Sequence, residues 1–260
     1  MTSPFLPGTK IQFAIDSTSL GWFKTCPRLY QYHMIDQWRT KGDSIHLDFG
    51  GWYHSALEWY DKQVAVGDKH DDALHSTVAS LLEWTWNAET GKPWTTDDPY
   101  KSRETLVRSV IWYLEEFGAA DAAKTVILAN GKPAVELSFK LELDYGPETG
   151  IFLPGKTSQI ESMGQPYVLC GHLDRVVTFT DGVYVMDRKT TKTTPGSYYF
   201  DGFNPDNQMS LYTVAAKVIY QTPVKGVIID AAQIAVGFTR FSRGFTFRTE
   251  AQIEEWLANT

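Results

Sequence analysis

The sequence predicts a mixed α/β fold: a central mixed sheet flanked by helices, preceded by an N-terminal helical lobe. Three observations predict it. Pro133 to Tyr145 alternates, with Val135, Leu137, Phe139, Leu141 and Leu143 on one face and Glu136, Ser138, Lys140 and Glu142 on the other, which is the pattern of a half-buried strand. Asp181-Gly182 stands between two runs rich in Val, Tyr and Phe, a strong hairpin signal. Gln208, Leu211, Tyr212, Ala215, Val218 and Ile219 recur at helical spacing, and the mostly apolar run Val224 to Val236 behind them suits a central strand. Residues 1–130 read as the helical lobe, residues 131–260 as the core, and the whole 1–260 as a single domain.

Composition sets the limits. The chain has 260 residues, 43% hydrophobic and 14% aromatic, enough for one sizeable core. Met1 to Lys10 lacks the pattern of a secretory signal, and no apolar run approaches the roughly 18 residues of a membrane span, so no membrane partner is expected. The two cysteines, Cys26 and Cys170, do not make a disulfide scaffold and point to a reducing cytoplasm, with Cys26 read as a small buried apolar residue. The net charge of −7 argues against a passive nucleic-acid coat protein. It leaves room for a local phosphate-holding patch, for which Arg188, Lys189 and Lys192 are candidates, with Arg240, Arg243 and Arg248 further along, those last three reading better as scattered solvated charge.

The elements follow in order. Asp16 or Ser17 caps a helix interrupted by Cys26-Pro27. A second helix starts at Tyr53, with Tyr53, Ala56, Leu57 and Tyr60 on its apolar stripe; His54 and Glu58 share a different stripe, as a metal-holding or a hydrogen-bonded pair. His70 to Ala88 is a third, with Leu74, Val78, Leu81, Leu82 and Thr85 inward and His70 and His75 at the surface or capping. Asn87 to Pro99 is a polar loop, beside which Trp84, Trp86 and Trp94 either pack or stack on bases. Tyr100 to Phe117 is a helix ended by Gly118, with Arg103 and Arg108 exposed. Gly150 to Thr157 satisfies the Walker A pattern but lacks the buried strand before it and the helix after it, so a loop is the better reading and an ATPase the weakest functional one. Thr190 to Phe203 is a polar-aromatic loop, and Asn204 and Pro205 open the helix of Gln208. Phe241 to Phe247 is a last strand, and a helix begins at Glu250.

A two-residue turn at Asp181-Gly182 sets Thr180 opposite Val183, Asp174 opposite Lys189 and Val176 opposite Asp187. Asp174, Asp187 and Lys189 then share one face, while Leu173, Val177, Phe179, Tyr184 and Met186 form the core face. Such a trio is either a site for a hard divalent cation or a cross-strand Asp174–Lys189 ion pair with Asp187 solvated.

Gly171 to Arg175, Asp187 to Thr190, and Gln208 with Tyr212 resemble the G-x-x-D-R, D-x-K-T and Q-x-x-x-Y motifs of the PD-(D/E)XK nuclease superfamily, most closely its RecB-like exonuclease branch. Ser19-Leu20, Phe23, Cys26-Pro27 and Tyr30 resemble that branch's opening helix, with one spacing departure. The resemblance implies a restriction-endonuclease-like αβββαβ core and a Mg²⁺- or Mn²⁺-dependent deoxyribonuclease. In it His54 (after Gly50 and Gly51), Asp174, Asp187 and the Arg188 carbonyl would hold the metal, with Lys189 catalytic. Gln208 and Tyr212 would face the DNA backbone, unless they are an ordinary amphipathic edge. Glu136 matches a first-strand Glu near the metal, or is solvent-facing. Some relatives carry an iron–sulfur cluster on four cysteines; with none after Cys170, no cluster is expected here. The implied partners are DNA, as single strands or duplex ends, and a recombination or single-strand-annealing protein, in a bacterial cytoplasm or a host cytoplasm if the chain is phage-encoded. The competing reading is a catalytically inactive nuclease fold that binds DNA ends.

Overall fold

The computed structural model describes residues 3–39, 41–42, 44–143, 167–219 and 223–260. Tyr145 and the Walker-like run Gly150 to Thr157 lie outside them. Strand β1 (Ala14–Ile15) leads into α1 (Ser17–Thr25), α2 (Pro27–Tyr30), a π turn and α3 (Ile45–Ala65). The Asp16 carboxylate caps α1 in a capping box, and Pro27 opens α2. Cys26 at that junction is exposed, not buried as expected, because the break at Pro27 turns it out of both helices.

Helix α3 begins eight residues before the expected Tyr53, capped by the Ser44 side chain, and runs through Gly50-Gly51. Packing of Phe49, Tyr53, Ala56, Leu57 and Tyr60 outweighs the low helix propensity of two glycines. Next come α4 (His70–Trp84), the ribbon β2 (Trp86–Asn87) with β3 (Lys92–Pro93), and α5 (Arg103–Phe117). The α4 stripe is Ala73, Thr77 and Leu81, with Leu82 39% exposed, one step round the helix from the expected face. The close α3 contact favours small residues there. His75 is exposed, while the His70 ring hydrogen-bonds the Tyr60 hydroxyl at 2.7 Å. Arg103 and Arg108 are engaged: Arg103 donates to the Leu82 carbonyl at 2.9 Å and Arg108 to the Ala235 carbonyl at 2.6 Å.

The sheet contains β1, β4 (Lys124–Thr125), β5 (Val135–Glu142), β6 (Val168–Phe179), β7 (Gly182–Thr191), β8 (Val224–Ile234) and β9 (Thr239–Thr246). Strand β6 is its axis. One edge pairs antiparallel with β5 and then β4; the other pairs parallel with β1 near its start and antiparallel with β7 near its end. Strand β7 continues parallel to β8, and β8 antiparallel to β9, so β8 is central. The link from β7 to β8 carries α6 (Ser197–Asp201) and α7 (Asn207–Ile219). The Asp206 carboxylate, not Asn204, accepts from the α7 amide of Met209 at 2.9 Å. Helix α8 (Glu250–Ala258) follows β9.

Helix α7 covers one sheet face, where Met209, Leu211, Tyr212 and Ala215 meet Leu169, Leu173, Val176, Val185, Val227 and Ile229. The α3–α4–α5 lobe covers Ala232 and Ile234 of β8. No helix among the described residues is long and apolar enough to cross a membrane.

Candidate active site

The hairpin turn is Thr180-Asp181, one residue earlier than expected. Gly182 pairs with Phe179, Val183 with Thr178 and Val185 with Val176, so Asp187 is not opposite Val176. A Cβ on Gly182 would stand 2.8 Å from the Lys225 side chain, whose ammonium pairs with Asp181 at the surface. The ladder moves by two positions, and an even shift keeps every side chain on its face. Leu173 is the exception. It packs with Val176 and Val185, not with Val177, Tyr184 and Met186. Alternation breaks in this stretch, where Glu136, across from Asp174, has a left-handed φ of 51°.

Strands β6 and β7 part after the pair Arg175–Met186. The next positions are Asp174 and Asp187. The Asp174 carboxylate accepts from the Arg188 amide at 2.9 Å, replacing the lost ladder partner. Its Oδ2 also lies 3.2 Å from His54 Nδ1, on the α3 helix that crosses this fork. Burial works to raise the Asp174 pKa, but the His54 and Arg188 hydrogen bonds lower it overall.

Asp187 is 1% exposed, and Lys189 donates to its Oδ1 at 3.0 Å. Its Oδ2 lies 2.8 Å from the same ammonium but has no partner at hydrogen-bonding geometry. Burial, with Asp174 beside it, pushes the Asp187 carboxyl up to about 6 against the pull of Lys189. For Lys189 burial opposes the charge, but Asp187 outweighs it and raises the pKa. Lys189 also donates to Gln208 Oε1 at 2.9 Å, and Gln208 Nε2 donates to the Tyr212 hydroxyl at 2.9 Å. Spacing of four on α7 sets Gln208 and Tyr212 one above the other. Burial, then Asp187 and Asp174, raises the Tyr212 pKa, so it stays a neutral hydroxyl.

Glu136 is half-buried, and burial, Asp174 and Glu58 raise its pKa. With His46, His54 and Glu58 it lines an open cleft of about 520 Å³. Glu58 itself pairs with Lys62. The structure thus gathers His54, Asp174, Asp187, Lys189, Gln208 and Tyr212 around the fork, with Glu136 at its edge.

Of the basic residues singled out in the sequence, Arg188, Arg243 and Arg248 are engaged inside the fold, while Arg240 is exposed with its guanidinium 5.6 Å from the Phe238 ring centre. Arg188 lies 2.7 Å from Asp61, Arg243 lies 2.6 Å from Asp121, and Arg248 donates to the Phe203 carbonyl at 2.8 Å. Lys192 lies 2.7 Å from Asp98. Arg188, Arg243 and Arg248 turn inward onto acceptors from other segments of the chain. Sequence reasoning missed Asp61, Asp121 and Asp230, the carboxylates of this network. A carboxylate on the buried stripe of α3 was the available signal for Asp61.

The donor set, two carboxylates and an imidazole beside a buried oxygen without a hydrogen bond, fits a hard divalent cation. Among the described residues no three His, Cys, Asp or Glu are gathered closely enough to hold an ion as they stand. The His54 and Lys189 side chains rest on the two acids instead.

A family model described as the PD-(D/E)XK nuclease superfamily matches residues 17–257. Curated proteins yield no match. Among solved structures, the chain is similar to the protein of "Crystal structure of SSO0001", with 14% identity over 60% of this chain and a TM-score of 0.29. The aligned part spans 64% of that protein's length.

Proposed function

The chain belongs to the PD-(D/E)XK nuclease superfamily, which points to a metal-dependent nuclease, and from that premise we propose that it hydrolyses phosphodiester bonds in DNA as an exonuclease of the RecB-like branch. The observation that carries this reading is the unbroken run Asp187–Lys189–Gln208–Tyr212 at the strand fork, in the order and spacing of the motifs. His54, Asp174, Asp187 and the Arg188 carbonyl would hold Mg²⁺ or Mn²⁺, with Glu136 beside them. When bound, the ion supplies Lewis-acid stabilisation of charge on the reacting phosphate.

The chain's own groups do the rest. A lysine ammonium has three protons to donate. Asp187 and Gln208 take two, at 3.0 and 2.9 Å, and the third is left for the attacking water or a phosphate oxygen. Gln208 fixes where that proton points, since its amide is itself oriented by Tyr212. Tyr212 and the second amide proton of Gln208 face the DNA backbone. The biological setting we propose is DNA recombination, repair or phage DNA processing, beside a recombination or single-strand-annealing protein.

The test uses purified protein with end-labelled linear, nicked and circular DNAs and Mg²⁺ or Mn²⁺. Degradation of the linear DNA alone is expected, lost in Asp187→Ala and in Lys189→Ala with the fold retained. Intact DNA under all these conditions refutes the proposal.

A further inference from the structure

Behind the fork lies a second arrangement that the proposed chemistry does not use. Asp61 sits on α3 about two helical turns after His54, on the side facing the sheet. It is 5% exposed. Its Oδ2 lies 2.7 Å from Arg188 Nη1, and its Oδ1 lies 3.5 Å from Arg175 Nη1. Arg175 follows Asp174 in β6, and Arg188 follows Asp187 in β7. Arg175 reaches Asp61, Ala123 and Met186 while Asp174 reaches His54 and the Arg188 amide, and Arg188 reaches Asp61 while Asp187 meets Lys189, so each arginine turns away from the site acid before it. One helical carboxylate therefore holds both strands from behind at the point where their ladder has ended.

Other contacts leave the two arginines little freedom. Arg175 donates to Thr125 Oγ1 at 2.9 Å and to the Ala123 carbonyl at 3.1 Å. The Arg188 guanidinium lies over the Tyr113 ring at 5.5 Å. Its backbone amide is the donor to Asp174 at 2.9 Å, so a shift of Arg188 displaces both acids together.

We propose that Asp61 is a positioning residue: through Arg175 and Arg188 it sets the separation of Asp174 and Asp187 and the placement of His54 over them. This inference rests on the proposed metal site. Loss of a partner that orients metal-holding residues typically lowers metal affinity about tenfold to a hundredfold. Asp61→Asn keeps the shape and removes the charge the two arginines share, while Arg175 keeps Asp121 at 3.7 Å.

The experiment titrates DNA-free protein with Mn²⁺ by calorimetry, and measures the Mn²⁺ concentration for half-maximal cleavage and the rate at saturating Mn²⁺. For Asp61→Asn, Mn²⁺ binding weakened about tenfold or more is expected, the half-maximal concentration rising in parallel and the saturated rate staying close to wild type. Asp61→Glu, which keeps the carboxylate, should recover part of the affinity. Should Asp61→Asn fail to fold, Arg188→Lys keeps the interior charge but gives up the guanidinium reach, and the same weakening is expected. Wild-type protein that binds no Mn²⁺ overturns both the metal site and this role. A wild type that binds, with Asp61→Asn or Arg188→Lys binding equally well, overturns the positioning role alone.

Discussion

Replacing Gln208 by alanine separates the substrate-facing groups from the metal-holding ones. The substitution removes the acceptor 2.9 Å from the Lys189 ammonium and the donor 2.9 Å from the Tyr212 hydroxyl, while the Lys189–Asp187 contact remains. A hydrogen bond to a charged group contributes about 1.5–3 kcal/mol. At roughly 1.4 kcal/mol per factor of ten, the rate should fall about tenfold to a hundredfold. Gln208 is half-buried and an amide is a poor ligand for a hard cation, so folding and Mn²⁺ affinity should change little. The assay is single-turnover cleavage of end-labelled linear DNA at saturating protein and Mn²⁺, paired with Mn²⁺ calorimetry. An unchanged rate, or loss of Mn²⁺ binding, refutes the assignment of Gln208 to Lys189 and the DNA.

Lys101 is 3% exposed, with its ammonium 3.3 Å from Thr190 Oγ1 and 4.2 Å from the Phe49 ring centre. Burial, with Lys192 nearby, lowers its pKa to about 8. The unfolded chain therefore holds more protons between about pH 8 and 10.5, and stability from this group rises with pH across that window. Lys101→Met should stabilise the protein at pH 7 by on the order of 1 kcal/mol, a gain that shrinks toward pH 10 in urea titrations. Gly226→Ala would bring a Cβ to 2.6 Å from the Thr246 carbonyl oxygen, and should cost about 1–3 kcal/mol by the same measurement. Arg243→Met leaves the buried Asp121 and Asp230 without their shared partner, and should lower stability by about 3–5 kcal/mol.

The sheet, the central position of β8 and the helix of Gln208 were legible because period-2 and period-3.6 patterns record which side of an element is buried. The side of the hairpin carrying Asp174, Asp187 and Lys189 was legible for the same reason, even though the turn was misplaced. The turn itself meets Lys225, a partner on another strand that no local rule contains. The destination of the arginines was illegible for a related reason. Arg188 and Arg243 look alike in sequence whether they meet phosphate or a carboxylate, and Asp61 and Asp121 lie far from them along the chain. Helix α3 was read short because Gly50-Gly51 weigh against a helix locally, while the packing of Phe49 and Tyr53 does not show in propensity.

The pairing of β1 with β6 has a consequence for how the chain is made. Ala14 and Ile15 meet Val168 and Leu169, and the acids Asp61 and Asp121 meet arginines that all lie beyond them in the chain, at 175, 188 and 243. During synthesis the first half of the chain therefore emerges with its interior acids uncompensated and its first strand without a neighbour. Those carboxylates favour water until the strands arrive, although α3, α4 and α5 share apolar contacts of their own. Docking of α3 against the sheet waits for those strands, since its partners Arg175 and Arg188 are distant in sequence, and contacts of that kind form slowly.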